Sequence, residues 1–209
     1  MAPYRDRPLS TSLFSISLGL NRRPSELGLS SYSTMFVPGW IKRLSDLKHC
    51  AGLLAEMPGD RLPVIGVCDY SHIDSGLNDG ELFQVSIAGA DRLANWEGLS
   101  DDDYHARKNA WLDAVIGRLD EEWPGFAGAV VQREIATART MRKFLNTPGG
   151  AIYGFAPNVP EHSLLSGPPR TAETPVKGLW LASAYAGFGG FSGAMYAGAM
   201  AAKAALRHH

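Results

Sequence analysis

The stretch best suited to chemistry in this 209-residue chain is a glycine-rich turn, Gly187-Phe188-Gly189-Gly190, set between an apolar run at 178–182 and an alanine-rich segment ending near Leu206. Glycines without a Cβ let a ligand approach the backbone, and a helix starting there presents unpaired N–H groups and a positive dipole end. Such a turn suits an anionic or electron-rich cofactor edge. Side-chain chemistry is less well signalled. No H-E-x-x-H and no G-x-S-x-G occurs, and Cys50 and Cys68 stand at no metal-ligand spacing, so no metal site is expected. Ser192 in Gly190-Phe191-Ser192-Gly193 has no nameable base and reads as a helix cap. Asp69 and Asp74 flank His72 at a strand end, as acid–base groups or as turn formers.

The run 178–202 carries no charge and is long enough to span a bilayer. Its clustered glycines argue against a spanning helix, since each costs about 1 kcal/mol relative to alanine in a helix interior. Net charge of −1 with scattered Lys and Arg does not suit a general nucleic-acid binder. Two cysteines without a pairing pattern, and no signal-peptide core, fit a reducing compartment; a cytoplasmic protein, with peripheral membrane contact as an alternative, is the expectation.

The elements that must position these residues follow from hydrophobic period. Residues 12–20 alternate serine with bulky apolar side chains, 63–68 is a short buried run, and 82–88 alternates again, giving three strands of a mixed or antiparallel sheet. Segment 40–57 suits one or two helical turns, and residues 20–39 read as a polar connection. Ser100 followed by three aspartates opens an amphipathic helix running to Trp123, ended by Pro124-Gly125. A strand over 129–135 and a short helix or turn over 137–145 come next. A strand at 178–182, the glycine turn and a helix complete the chain. The fold class is α+β, with a substrate-type domain over 1–156, a proline-rich linker over 157–177 and a C-terminal unit over 178–207.

Three ordered blocks carry a family resemblance. The segment 178–206, the block Leu145-Asn146-Thr147-Pro148-Gly149-Gly150-Ala151-Ile152-Tyr153-Gly154-Phe155-Ala156-Pro157, and Arg170 between them resemble the C-terminal part of the phytoene desaturase, carotenoid isomerase and retinol saturase family of FAD-dependent oxidoreductases. The resemblance implies FAD contacts at Gly189, Gly190, Phe191, Ser192, Gly193 and Ala194, near the flavin's isoalloxazine and ribityl portions. It also implies a substrate-domain sheet roofing the flavin, and it gives Tyr153 a substrate or cofactor contact, against a core tyrosine as the plain alternative. Arg170 could pair with a phosphate. Ser183 and Phe188 stand where the family has glycine and proline, and catalytic residues remain unknown.

No G-x-G-x-x-G follows an N-terminal strand, so the pyrophosphate-binding fingerprint is missing from these residues. The expectation is the C-terminal half or small subunit of a split desaturase-like enzyme, inactive alone. It would share FAD with a partner polypeptide bearing that fingerprint and act on an apolar polyene or isoprenoid-type substrate. A flavin-dependent isomerase or saturase subunit, or a non-catalytic scaffold remnant, are the alternatives.

Overall fold

The computed structural model describes residues 7–76, 80–156, 172, 174–186 and 189–207. Five strands, β1 (Ser12–Leu20), β2 (Ser33–Phe36), β3 (Ile65–Asp69), β4 (Phe83–Asp91) and β5 (Val130–Ala136), form one sheet in the order β2-β3-β4-β1-β5. Every pairing is antiparallel. The mixed alternative left open by the sequence is thereby resolved.

Alternation along the strands sorts the sheet into two faces. Phe14, Ile16, Leu18 and Leu20 of β1 are buried, as are Ile65, Val67, Val85 and Ile87 on its neighbours. They meet Trp111, Leu112, Val115, Ile116 and Leu119 from helix α1 (Asp101–Glu122) and Phe126 from the single turn α2 (Phe126–Ala129) in one core. The helix begins where the sequence placed it: the Ser100 hydroxyl accepts from Asp103 N at 3.1 Å. The opposite face is different. Ser33, Cys68, Ser86 and Ser17 lie in register across four strands, followed one step on by Met35, Gly66, Ala88 and Ser15. Apart from Met35 these side chains are small, and all eight are at least partly exposed. One face of the sheet is therefore a packed core and the other a shallow open floor.

Two more helices follow, α3 (Ala138–Leu145) and α4 (Gly190–Arg207). Helix α3 starts on a buried carboxylate. Asp91, the last residue of β4, is fully buried; its oxygens accept from Arg92 N, Asn95 Nδ2, Trp96 Nε1 and Ala138 N at 2.7–2.8 Å. Burial pushes this carboxyl up from its ordinary value, while the four donors pull the other way. An anion beside the first N–H groups of α3 also opposes the helix dipole.

Two sequence expectations need correction, and a third is made specific. Residues 20–39 are not only a connection, because β2 forms there and pairs with β3; its four residues are too few to show a period. The helical turns expected over 40–57 form as a 3-10 helix, Leu44–Ala55. No strand forms over 178–182: Leu181 N donates to Ala172 O, and Trp180 makes only an isolated bridge. An apolar run becomes a strand only beside a partner edge, and the described residues place none along it. Among them, no helix is long and apolar enough to cross a membrane.

Asp91→Asn tests the buried carboxylate. The variant keeps the shape but turns an amide donor toward four donors, so stability should fall by about 2–3 kcal/mol. A urea midpoint equal to that of the parent chain would contradict this role.

Candidate functional site

The segment entering β1 and the block after α3 run antiparallel to one another. Ser10 N donates to Gly154 O at 2.9 Å, Ala156 N to Pro8 O at 2.8 Å, and Tyr153 N to the Ser10 hydroxyl at 3.1 Å. Leu9 and Phe155 form a β-bridge. The two straps stand at the Ser12/Asp91 end of the sheet.

The C-terminal segment docks on this pair through missing side chains. Gly154 has φ +82°, and a Cβ there would lie 2.7 Å from Ala184 O. In the other direction, a Cβ on Gly189 would lie 2.8 Å from Tyr153 O. Gly190, at φ +77°, would press a Cβ within 3.2 Å of the Tyr153 ring. Both positive φ values disfavour any residue with a Cβ. Tyr185, from the 3-10 turn Ala184–Ala186, meets Phe155 edge-on at 5.0 Å, and burial pushes its phenol up.

Between the straps and this turn lies a cleft of about 380 Å³, lined by Arg7, Ser10, Thr11, Tyr153, Phe155, Ala156, Ala184 and Gly189. Among the described residues its wall holds two aromatic rings, hydroxyls and one cation, and no carboxylate. The Arg7 guanidinium sits 4.8 Å from the centre of the Phe155 ring, a cation–π distance. Helix α4 begins beside the cleft at Gly190 and has no acidic residue in its first turn.

The structure thus brings two sequence-derived sites together: Tyr153 and the Gly189–Ala194 turn meet in one place. Within that turn, Phe191 and Ser192 are exposed, Ala194 is half-buried, and Gly193 faces inward in line with Ala197 and Ala201. Tyr153 is 46% exposed, so a ligand can reach its ring. Arg170, Gly187 and Phe188 lie outside the described residues, as does most of the linker expected over 157–177.

Asp69, His72 and Asp74 are elsewhere. Asp69 pairs with Val85, which stands opposite Leu18, six residues along β1 from Ser12. At about 3.3 Å per residue that is roughly 20 Å from the cleft end of the sheet. There Asp69 is fully buried, accepts from Ser71 N at 2.9 Å, and lies 3.4 Å from His72 Nε2. Asp74 is exposed. The turn-forming reading of Asp69 accounts for its backbone contact, and none of the three serves the cleft. Among the described residues no cluster of His, Cys, Asp or Glu could hold a metal ion.

Arg7, Ser10, Thr11 and Phe155 carried no signal as cleft residues in the sequence. They reach the site through pairing between segments more than 140 residues apart, which leaves no local period.

Comparison with known proteins agrees with the three-block resemblance. No family model matches the chain. Over 117 residues it is 37% identical to prolycopene isomerase 2 of an Oncidium hybrid cultivar, covering 53% of this chain and 19% of that protein. Over 141 residues it is 32% identical to the prolycopene isomerase of Arabidopsis thaliana, covering 64% and 23%. All-trans-retinol 13,14-reductase of Danio rerio is 26% identical over 194 residues, covering 87% and 31%. These relatives are members of the phytoene desaturase, carotenoid isomerase and retinol saturase-like family, and the chain is similar to a part of each. That family is generally FAD-dependent, and its members matched here are an isomerase and a reductase. The chain spans less than a third of the length of any of these relatives.

Gly154→Ala tests the docking. The substitution combines an unfavourable φ with a backbone clash, so amides over 184–186 and 189–200 should exchange with solvent at least tenfold faster, while β1 and β4 keep their protection. Unchanged exchange in the C-terminal segment would mean that it is not held by this contact.

Proposed function

We propose that this chain supplies the substrate-domain sheet and the flavin-facing segment of an FAD-dependent oxidoreductase acting on an apolar polyene or isoprenoid-type substrate. The observation that carries the reading is the convergence of Tyr153 with Gly189 and Gly190, at the start of an 18-residue helix, in a cleft whose described lining holds no carboxylate. It is supported by homology to enzymes named for prolycopene and retinol.

The residues fit a flavin edge. A wall without a carboxylate among the described residues and the open first turn of α4 favour a group that gains negative charge, and Gly189, Gly190, Phe191, Ser192, Gly193 and Ala194 would hold it. Bound there, the flavin would supply hydride acceptance or donation at a substrate carbon. The chain's own residues orient and exclude water: the Tyr153 and Phe155 rings offer flat apolar walls, and Arg7 at the wall is suited to an anionic substituent. The open floor of small residues on the sheet leaves room for an extended apolar chain. The adenosine diphosphate portion needs a G-x-G-x-x-G site outside these 209 residues, on a partner polypeptide in this proposal.

A second reading within the same site is redox-neutral double-bond isomerisation on reduced flavin. It is favoured by the higher identity to the isomerases, 31–37% against 26% for the reductase. Product mass separates the two, since desaturation or saturation changes it by two hydrogens and isomerisation does not.

The purified chain alone should be colourless. Co-expressed with a polypeptide carrying the dinucleotide-binding fold, it should give a yellow complex with flavin near one equivalent. Gly190→Val should lose that flavin, because its side chain would crowd Tyr153 and occupy the space before the first turn of α4. A complex that forms without flavin, or full flavin retention by Gly190→Val, would overturn the reading and favour a non-catalytic scaffold.

A further inference from the structure

The cleft holds one charge that the flavin-facing turn does not use. Gly189 and Gly190 stand against Tyr153, whereas Arg7 stands against Phe155, its guanidinium 4.8 Å from the centre of that ring. Arg7 is partly buried, and among the described residues no carboxylate pairs with it. Three other arginines of the fold are each paired: Arg118 with Glu121 and Glu122, Arg133 with Asp113, and Arg139 with Asp101. Asp91, the carboxylate at this end of the sheet, is already engaged, because its two oxygens receive four donors in the core. A guanidinium beside a ring still has N–H groups to donate, and a carboxylate is the acceptor whose two oxygens match its fork.

What surrounds this cation is uncharged. The Tyr153 and Phe155 rings, Ala156 and Ala184 form the apolar part of the wall. Thr11, also in the lining, is the residue before β1, and by strand alternation Leu13, Ser15 and Ser17 follow it on the open face of the sheet. Ala90 lies opposite Leu13 and Ala88 opposite Ser15. From Thr11 to Ser17 is six residues, about 20 Å at roughly 3.3 Å per residue. The charged residue beside this stretch, Glu134 opposite Ser17, is paired with Lys108 at 3.1 Å. One unpaired cation thus stands beside a track of small and apolar side chains.

We propose that the substrate is an isoprenoid-type acid, whose carboxylate pairs with Arg7 while its apolar chain passes between the Tyr153 and Phe155 rings and along the Thr11–Ser17 track. This rests on the proposed function, since it concerns the same cleft, and deepens it by naming the substrate's head group. An alcohol of the same chain would meet the same walls but cover the cation without a counter-charge, an unfavourable step that the acid avoids. Arg7 therefore sets which end group the cleft accepts, and the rings and the open face of the sheet set that the rest is apolar.

The test is equilibrium dialysis of the intact chain, without flavin, against geranylgeranoic acid, geranylgeraniol and acetate at neutral pH, the first two kept below the concentrations at which they form micelles. The acid should bind about tenfold tighter than the alcohol, the order of difference expected of one hydrogen-bonded charge pair. Arg7→Gln should bring the acid to the level of the alcohol, with the alcohol's affinity and the thermal midpoint unchanged. Arg142→Gln, a cation outside the cleft that donates to Asn146, should bind like the parent. Equal binding of acid and alcohol, a preference that survives Arg7→Gln or is lost equally in Arg142→Gln, or no binding of either would overturn the proposal. Acetate binding as tightly as the acid would overturn it too, because the cleft would then take any small anion. These outcomes do not depend on flavin, so they are separate from the colour of the co-expressed complex, which judges the flavin reading by itself.

Discussion

The Asp91 carboxylate is the constraint on which the positioning of the cleft depends. It closes β4, receives the backbone of Arg92 and the side chains of Asn95 and Trp96, and fixes the first amide of α3. Each donor comes from a segment that would otherwise carry an unpaired buried N–H, and each unpaired one would cost about 1–3 kcal/mol. The connection before α1 and the helix leading to Tyr153 are thus referred to one pair of oxygens. The backbone carbonyl of Asp91 adds a fifth tie, accepting from the Thr11 hydroxyl at the strap that enters β1.

From that point the geometry is carried by close backbone contacts. Gly154 against Ala184 and Gly189 against Tyr153 interlock two segments that side chains would hold apart. The glycines of the last turn therefore have two claims on them: they let α4 start beside Tyr153, and they keep its first amides approachable. The first claim is a packing fact of the chain, and the second is what a flavin edge would use. The inward line of Gly193, Ala197 and Ala201 serves packing too, while Phe191 and Met195 stay open on the other side of α4.

Much of this was legible in the residues. Alternation gave β1 and β4, the Ser100 cap and the 3.6-residue period gave α1, and three ordered blocks gave the resemblance that the similar proteins share; that Tyr153 meets the glycine turn came only from the structure. What stayed hidden was non-local. Asp91, three residues beyond the strand read over 82–88, carried no sign of its role, because its donors come from residues up to 47 positions away. Arg7 and Ser10 join the cleft through pairing with 152–156 that no window of sequence contains. The strand expected over 178–182 failed for the opposite reason: its pattern was clear, but a strand also needs a neighbouring edge. His72 and Asp69 had suggestive types at suggestive spacing, and the sheet carries them to its far end.

The central claim is that the first turn of α4, beside Tyr153, is where a flavin edge is held. It is tested most directly by amide exchange of the co-expressed complex, compared with and without flavin. The account predicts that flavin slows exchange at Gly190, Phe191, Ser192, Gly193 and Ala194, amides at the start of a helix that lack intrahelical partners or border those that do, and leaves β2 and β3 unchanged. Slowed exchange confined to the partner, with the first turn of α4 as open as before, would contradict it.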